Sequence, residues 1–353
     1  MRFDHFEYFS PICPLCKRDQ HTDIPLNLNV SKGNSQWIEE GFFHCTSCDG
    51  RYPILRGIPI LLPNIGQYLE QNYIHTLWNC SLSEHHLQWL SEAGGPNTVV
   101  EQTRNYLSTY MWAHYGDLDP APNASDSSNL SSILSEINIC DSLKGNILDI
   151  GCAVGRSSFY LAEQYQRPVL GIDLNFAMLL HAQEILLHQR AVYGERVLGS
   201  VYRWKDFPVS FEHSHLVDFW VADVCCLPFR NQQIAASTSL NVMDCVQSPM
   251  EYLMELHRTS KEFHSFCPYD WSTNVTEFRQ WIGGHNSFST WKGDPNSILE
   301  YLLSEHSPIE ELRTAKILRK KENIDWNIRL HDRSTMKYSL DYFHVQHQSK
   351  RLS

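Results

Sequence analysis

The chain has 353 residues, of which 42% are hydrophobic and 12% aromatic, and it carries a formal net charge of −11. That length allows one large α/β domain and a smaller unit, and the negative charge argues against a large nucleic-acid footprint. No apolar run is as long as a membrane span, and residues 1–7 lack the apolar core of a signal peptide. We therefore expect a cytoplasmic protein without a membrane segment, for which a nucleic-acid partner is disfavoured.

Residues 1–63 are predicted to form the first unit, in which four cysteines are the main feature. Cys13 and Cys16 make one C-x-x-C pair, and Cys45 and Cys48 make another. Each pair can place two thiolates on one tetrahedral ion, so two pairs complete a zinc site. The alternatives are paired cysteines without a metal and a redox C-x-x-C, which the presence of two pairs disfavours. A closed four-thiolate site has no open coordination position, so we assign it to stability or docking and not to catalysis.

This first unit resembles the zinc-ribbon family typified by the small activator subunit of several tRNA and translation-factor methyltransferases. The resemblance depends on the four cysteines and on the β-like segment 51–63, which is punctuated by turn residues. It implies a structural zinc ion and a possible protein partner that docks through the ribbon.

The rest of the chain divides by composition. Residues 64–116 are expected to form a helical lid or connector, and residues 117–131 have the Asp, Pro, Asn and Ser content of a flexible linker. The α/β domain is expected over residues 132–347, followed by a tail at residues 348–353. Its strands are predicted near residues 146–150, 168–173, 217–223, 235–242, 263–268, 312–319 and 335–346.

The segment around the first two of these strands is the most informative part of the chain. A short apolar run suits a buried parallel strand, and Gly151 and Gly155 then allow a sharp turn close to a ligand. A helical pattern follows, and the next strand ends at Asp173. A carboxylate about 20 residues beyond the glycines lies where ribose hydroxyls are usually bound. We therefore predict a nucleoside-cofactor site.

The spacing of the glycines separates two classes of cofactor. Dinucleotide sites prefer G-x-G-x-x-G, because the pyrophosphate needs the helix N-terminus. Here the loop is G-x-x-x-G, and Asp149 precedes it. A carboxylate favours the cationic sulfonium and amine of S-adenosylmethionine and would repel a pyrophosphate. S-adenosylmethionine is therefore preferred over a dinucleotide and over a turn without a ligand, with Asp149 and Gly151 at its methionine end and Asp173 at its ribose.

A third strand end resembles the adenine-binding acid of class I methyltransferases: Asp223, followed by a Leu-Pro-Phe turn. The resemblance implies an α/β, Rossmann-like fold with a mostly parallel seven-stranded sheet, helices on both faces and a final antiparallel hairpin. Asn241 and Asp244 follow the fourth strand and are expected beside the transferred methyl group. Tyr269 and His114 complete the candidate catalytic set, although a structural role for His114 is favoured over that of a base.

Several segments resemble the C-terminal module of ovothiol synthases, which methylates an imidazole nitrogen of 4-mercaptohistidine. They are residues 114–116, 148–159, 267–271 and 281–284. The resemblance implies N-methylation of a small imidazole- or amino-acid-like acceptor. Aromatic side chains such as those of Tyr110 and Trp271 could hold that acceptor, with ordinary core packing as an equally open alternative. The iron-dependent part of ovothiol synthases has no counterpart in this sequence.

One departure from the methyltransferase pattern leaves the function open. A glycine-containing turn usually precedes the fifth strand, but residues 256–267 contain no glycine. Either this strand is distorted, or a polar loop turns without glycine. Three functions therefore stay in view: an S-adenosylmethionine-dependent enzyme for a small molecule, a tRNA or protein methyltransferase that docks through the ribbon, and a catalytically impaired binding or scaffold protein.

Overall fold

The computed structural model describes residues 1–76, 82–120 and 128–348. The central part of the predicted linker and nearly all of the predicted tail lie outside these residues. No helix in the described ranges is both long and apolar enough to cross a membrane.

The N-terminal unit contains two short helices and an antiparallel sheet. The helices are α1 (Phe3–Phe9) and α2 (Pro14–Gln20). The strands are β1 (Asn27–Gly33), β2 (Ile38–His44), β3 (Arg51–Leu55) and β4 (Ile58–Leu61), each paired with the next. Cys13 caps the N-terminus of α2 and Cys45 follows β2, so this arrangement brings the two cysteine pairs together.

The predicted connector is helical where it is described. Its helices are α3 (Ile65–Gln71), α4 (Tyr73–Thr76), α5 (Glu84–Gly94) and α6 (Val99–Tyr115), and α7 (Leu130–Leu134) comes before the α/β sheet. The break between α5 and α6 falls at the Gly-Gly-Pro sequence. The hydroxyl of Thr98 accepts a hydrogen bond from the backbone N–H of Glu101 and so caps the start of α6.

The α/β domain alternates strands and helices over most of its length. Its strands are β5 (Ile147–Ile150), β6 (Val169–Asp173), β7 (Arg190–Leu198), β8 (Val201–Pro208), β9 (Val217–Ala222), β10 (Ile234–Leu240), β11 (Ser260–Cys267), β12 (Ala315–His331) and β13 (Ser334–His347). Its helices are α8 (Arg156–Tyr165), α9 (Phe176–His188), α10 (Pro249–Thr259) and α11 (Pro295–Leu302).

Seven of these strands form the predicted sheet in the order β9-β6-β5-β10-β11-β13-β12. The first five are parallel, and β12 and β13 form the final antiparallel hairpin. Successive residues of β5 pack into different cores: Ile147 faces the layer of α8 and α9, whereas Leu148 faces the layer of α10 and α11. Burial on both faces explains why such strands are continuous apolar runs. The predicted seven-stranded sheet with helices on both faces is confirmed.

The N-terminal ribbon is continuous with this sheet. Strand β4 pairs in parallel with β9, where Ile60 lies opposite Val221 and Leu61 opposite Ala222. Within the described residues the sheet therefore has eleven strands, from β1 at one edge to β12 at the other. The sequence did not indicate this pairing, because nothing in either strand specifies its distant neighbour.

A second difference is the hairpin of β7 and β8, which was not expected between the second and third strands. It forms a separate two-stranded sheet and supports α6. The Tyr202 hydroxyl lies 2.9 Å from a carboxylate oxygen of Glu101 and 2.6 Å from the side-chain oxygen of Asn105, and it donates its proton to one of them. The backbone N–H of Arg196 donates to the Ser108 hydroxyl at 2.7 Å. The hairpin thus fixes the helix that carries His114.

The expectation that β11 could be distorted is wrong. This strand pairs along its length with β10 on one side and with β13 on the other. A polar side chain replaces the missing glycine turn: the Gln232 amide donates to the carbonyl groups of His257, Arg258 and Ser260 at 2.8, 3.3 and 3.2 Å. These bonds satisfy carbonyls at the end of α10 and let the chain enter β11 directly.

Candidate functional site

Four predicted site residues lie at the carboxyl edge of the parallel strands. Because the strand order is β9-β6-β5-β10, Asp223, Asp173, Gly151 and Asn241 follow one another along this edge. The chain leaves β5 toward β6 on one side and later returns to β10 on the other. Such a switch point is where open α/β sheets bind their ligands.

The turn after β5 requires its glycines. Gly151 has a φ of +66° and Gly155 a φ of +88°, both in the left-handed region. A Cβ on Gly151 would overlap the side chain of Val242. A Cβ on Gly155 would lie 2.6 Å from Phe219 and 2.9 Å from Ala182. The backbone of this loop can therefore approach a ligand and still pack against β9 and α9.

Asp149 is buried below the turn and bonded within the protein. Its carboxylate accepts hydrogen bonds from the hydroxyls of Ser157 and Ser158 at 2.6 Å each and from Thr238 at 3.0 Å. Burial raises the pKa of Asp149 to about 6. These bonds tie the turn to α8 and β10, so the geometry gives Asp149 a positioning role. Its contact with a methionine end stays a prediction.

Asp173 and Asp223 are held by nearby backbone donors. Asp173 accepts from the N–H of Ala153 at 3.0 Å and from that of Asn175 at 2.8 Å. Asp223 accepts from the N–H of Cys225 at 2.9 Å. Both carboxylates are thereby fixed in orientation, and each oxygen has a second lone pair for a ligand. Their ribose and adenine roles stay predictions.

Asn241 and Asp244 form the wall beyond β10. Asn241 has a φ of +58°, and its buried side-chain oxygen has no hydrogen-bond partner among the described residues. Asp244 accepts a hydrogen bond from the backbone N–H of Asp270 at 2.6 Å. Burial raises the pKa of Asp244. The unsatisfied amide oxygen of Asn241 can accept a hydrogen bond from an N–H group of a ligand.

Tyr269 lies in the same wall, with a φ of +56°. Its hydroxyl donates to Asn296 at 2.9 Å, and the Asn296 amide donates to Asp341 at 2.8 Å. This chain of bonds links the loop after β11 to α11 and β13. It holds the phenol ring in place although the residue stands outside regular secondary structure.

His114 and Tyr110 lie on α6, which faces the strand ends. Burial, reinforced by Arg156, lowers the pKa of His114 to about 3, and the Nδ1 atom of His114 has no partner in the described part of the chain. Its imidazole is therefore neutral at physiological pH. Burial raises the pKa of Tyr110, and the neighbouring Tyr106 adds to this effect.

Sequence reasoning named Trp271 and Tyr110 but missed Trp281, Tyr338 and Tyr106. The rings of Trp271 and Trp281 are nearly parallel, with centroids 6.1 Å apart, and the indole N–H of Trp271 has no described partner. The Tyr338 hydroxyl donates to Asp270 at 3.0 Å, and the rings of Tyr106 and Tyr110 lie 4.7 Å apart. Trp281 belongs to a segment noted for its resemblance and could have been found. Tyr338 could not, because its partner is 68 residues away in the sequence.

The four ribbon cysteines are assembled as predicted. The sulfur atoms of Cys13 and Cys48 are 3.6 Å apart, and those of Cys16 and Cys45 are 3.7 Å apart. Tetrahedral zinc with Zn–S bonds of about 2.3 Å places its sulfur ligands about 3.8 Å from one another. All four ligand atoms lie within 4.8 Å of each other. The residues therefore fit a zinc ion.

Comparison with known proteins bears on the α/β part of the chain. Residues 148–262 match the family model described as a methyltransferase domain. Phosphoethanolamine N-methyltransferase 1 of Zea mays is 29% identical over 127 residues, which are 34% of this chain and 23% of that protein. The chain thus spans about a quarter of the length of the curated relative that it matches.

Solved structures of similar proteins share little sequence with this chain. The S-adenosylmethionine complex of Haemonchus contortus phosphoethanolamine N-methyltransferase 2 is 14% identical, with a TM-score of 0.38 over 70% of this chain and 60% of that one. The complex of the Haloferax volcanii Trm112 methyltransferase activator with a methyltransferase is 12% identical, with a TM-score of 0.38 over 76% of this chain and 100% of that one.

These similarity scores are low, so the assignment depends on the family match and on the sheet. The match begins in β5, includes the glycine turn and the strand-end acids, and ends in β11. The strand order and the final antiparallel hairpin are those predicted for class I methyltransferases. The α/β part of this chain therefore has a Rossmann-like methyltransferase fold, and residues 148–262 match the methyltransferase domain.

Proposed function

We propose that this protein is an S-adenosylmethionine-dependent N-methyltransferase that acts on a small imidazole- or amine-like acceptor. The alignment of Asp223, Asp173, Gly151 and Asn241 along one sheet edge carries the proposal. In this alignment the carboxylates of Asp173 and Asp223 and the glycine turn after β5 lie toward β9. The acidic and aromatic wall lies toward β10.

The residues at this edge suit the cofactor. The carboxylates of Asp173 and Asp223 would accept from ribose hydroxyls and the adenine amino group, and the glycine turn would lie against the methionine part. The acidic lining complements a cation, and Asp149 holds the turn in register. When bound, S-adenosylmethionine would supply a methyl group attached to a positively charged sulfur. That sulfur is a good leaving group because it departs as a neutral thioether.

The acceptor wall suits a planar or cationic nitrogen compound. Tyr110, Tyr269 and Trp271 offer aromatic rings, and Asp244 offers a carboxyl group that attracts a cation. The free amide oxygen of Asn241 could orient an N–H group of the acceptor. These residues would align a nitrogen lone pair and exclude water, which accounts for much of the rate in such displacements. A base is needed only for an acceptor protonated at working pH.

Cofactor binding is the first test, by isothermal titration calorimetry with S-adenosylmethionine. Asp173→Ala removes charged hydrogen bonds of about 1.5–3 kcal/mol each, so we expect binding to weaken on the order of 100-fold. Asp206→Ala is the matched control, because Asp206 is exposed on the β7–β8 hairpin and pairs only with Arg190 among the described residues. Failure of the unmodified protein to bind at millimolar cofactor would refute the proposal.

Acceptor class is the second test, with isotope-labelled methyl donor and separate pools of small molecules, RNA and protein. Label in a small basic metabolite is the expected result. Label in RNA or protein would instead support a macromolecular substrate docked through the ribbon. Cofactor binding without transfer to any pool would favour the binding or scaffold alternative.

A further inference from the structure

A second group of metal-ligand side chains lies on β11 and β13, away from the ribbon. Glu262 and His264 are two residues apart on β11, so their side chains point to the same face of the sheet. His344 on β13 pairs directly with His264. One ligand atom from each of the three residues falls within 4.8 Å of the others. Glu262 and His264 are fully buried, and His344 is 8% exposed.

The distances in this group are compatible with metal-ligand spacing. Glu262 Oε2 lies 3.2 Å from His344 Nε2, and Glu262 Oε1 lies 3.7 Å from His264 Nε2. Ligands on zinc with bonds of about 2.0–2.1 Å are about 3.3 Å apart. The 3.2 Å contact also has the length of a hydrogen bond, whereas 3.7 Å is too long for any hydrogen bond, so the contact of His264 is the one that favours a metal.

The surrounding bonds orient the ligand atoms as second-sphere partners do. His264 Nδ1 lies 2.8 Å from the Tyr342 hydroxyl, and the backbone N–H of Cys140 donates to Glu262 Oε1 at 2.8 Å. A histidine ligand usually donates its other ring N–H to such a partner. That tautomer leaves a lone pair on His264 Nε2, which is buried and without a hydrogen-bond partner among the described residues.

We propose that Glu262, His264 and His344 bind a divalent transition-metal ion, with zinc as the best match to this two-histidine, one-carboxylate set. Glu262 and His264 lie in the first part of β11, whereas the cofactor edge is at the carboxyl end of the strand. The ion would therefore tie β13 and the segment before β5 to the middle of the sheet. It takes no part in methyl transfer, and the inference is independent of the proposed function.

Metal content of the full chain gives the first test. After expression in zinc-replete medium, native mass spectrometry should find two zinc ions per chain, one for the ribbon and one for this site. His344→Gln and Glu262→Gln should each remove one ion. His347→Gln is the matched control: it changes a histidine on the same strand that contacts His257 at 3.0 Å and not this group, and it should keep both ions.

Cobalt substitution distinguishes the two metal sites by their spectra in the unmodified protein. The test can therefore be made even if a variant fails to fold. A four-thiolate site gives intense sulfur-to-cobalt charge-transfer bands, whereas a nitrogen–oxygen site gives only weak visible bands. We expect both sets, with His344→Gln losing the weak set and Cys45→Ser losing the intense set. The proposal would be overturned if the protein held a single zinc ion that Cys45→Ser removes and gave only the thiolate cobalt bands. Glu262, His264 and His344 would then be a hydrogen-bonded group without a metal.

Discussion

At the scale of single residues, Asp149 shows how a buried acid can be held in place by hydroxyl groups. Its carboxylate is surrounded by the hydroxyls of Ser157, Ser158 and Thr238. The acid was predicted from its place before the glycine turn, but its partners were not. Three hydroxyl donors compensate much of the cost of burying a charge. The remaining cost is visible in its pKa, which burial raises to about 6.

This raised pKa predicts a pH dependence of stability. The folded state holds the Asp149 proton more tightly than the unfolded chain, so this contribution is complete below pH about 3.8 and is lost as the pH rises through about 6. Relative to Asp149→Asn, the free energy of unfolding of the unmodified protein should fall by about 3 kcal/mol over the whole titration, of which about 2 kcal/mol falls between about pH 4.5 and pH 7. Urea denaturation of both proteins over that pH range measures this change. A difference that does not change with pH would contradict the prediction.

A second prediction concerns Tyr269, whose hydroxyl donates to Asn296. Tyr269→Phe removes one hydrogen bond of about 0.5–1.5 kcal/mol. We expect kcat/KM for the acceptor to fall several-fold, up to about tenfold, because the ring is less well fixed, while the Kd for S-adenosylmethionine stays unchanged. Tyr8→Phe, at an exposed tyrosine of α1, is the control. Equal losses of acceptor turnover and cofactor affinity would show that Tyr269 acts more broadly.

The strand-end acids could be predicted because each of them stands at the end of an apolar run that is typical of a buried parallel strand. Asp173 and Asp223 therefore reveal their positions through local sequence alone. Tyr338 and Asp270 could not be found in this way, since their contact depends on how the final hairpin crosses the loop after β11. Local patterns specify the predicted cofactor half of the site, and tertiary packing specifies the predicted acceptor half.

At the scale of elements, the junction between α10 and β11 shows that a turn can be built without glycine. Gln232 adopts a φ of +54° and bonds the carbonyl groups at the end of the helix from outside. The sequence showed only that glycine was missing, because the residue that compensates lies before β10. The intact strand removes the structural reason to expect an impaired enzyme.

This junction gives a prediction about stability. Gln232→Ala removes the side-chain donor from the carbonyl groups of His257 and Ser260, at a cost of about 1–3 kcal/mol, whereas the carbonyl group of Arg258 keeps the backbone N–H of residue 232. Chemical denaturation should show a loss of that size in the free energy of unfolding. Gln102→Ala, at an exposed glutamine of α6 with one long bond of 3.4 Å, should change stability by less than about 0.5 kcal/mol. A loss no larger than that of the control would mean that the backbone alone maintains the turn.

At the scale of the whole molecule, the ribbon and the α/β domain share one sheet. Strand β4 is fully buried, with β3 on one side and β9 on the other. Composition and the cysteine pairs predicted two units, and the division at residue 63 stays a prediction. The ribbon nevertheless covers the β9 edge, which would otherwise present unpaired backbone groups.

Removal of metal from the ribbon should therefore reduce the stability of strands in both parts of the sheet. Without an ion the four thiols lose their common partner, and structural zinc often contributes much of the folding free energy of such a unit. After chelation, or in Cys45→Ser, hydrogen exchange should accelerate in β4 and also in β9. Cys245→Ser changes an exposed cysteine outside the ribbon and is the control. Protection of β9 that survives chelation would show that the two parts are coupled only weakly.

The pairing of β4 with β9 also has a consequence for synthesis. A ribosome releases the ribbon first, and the residues of β9 emerge only after most of the intervening helices. During that interval Ile58–Leu61 would present an apolar, unpaired strand edge, which is a hazard for aggregation. A ribbon that closes early around its own ion would keep this strand ordered until its partner arrives. Metal supply during translation would then influence the yield of soluble protein.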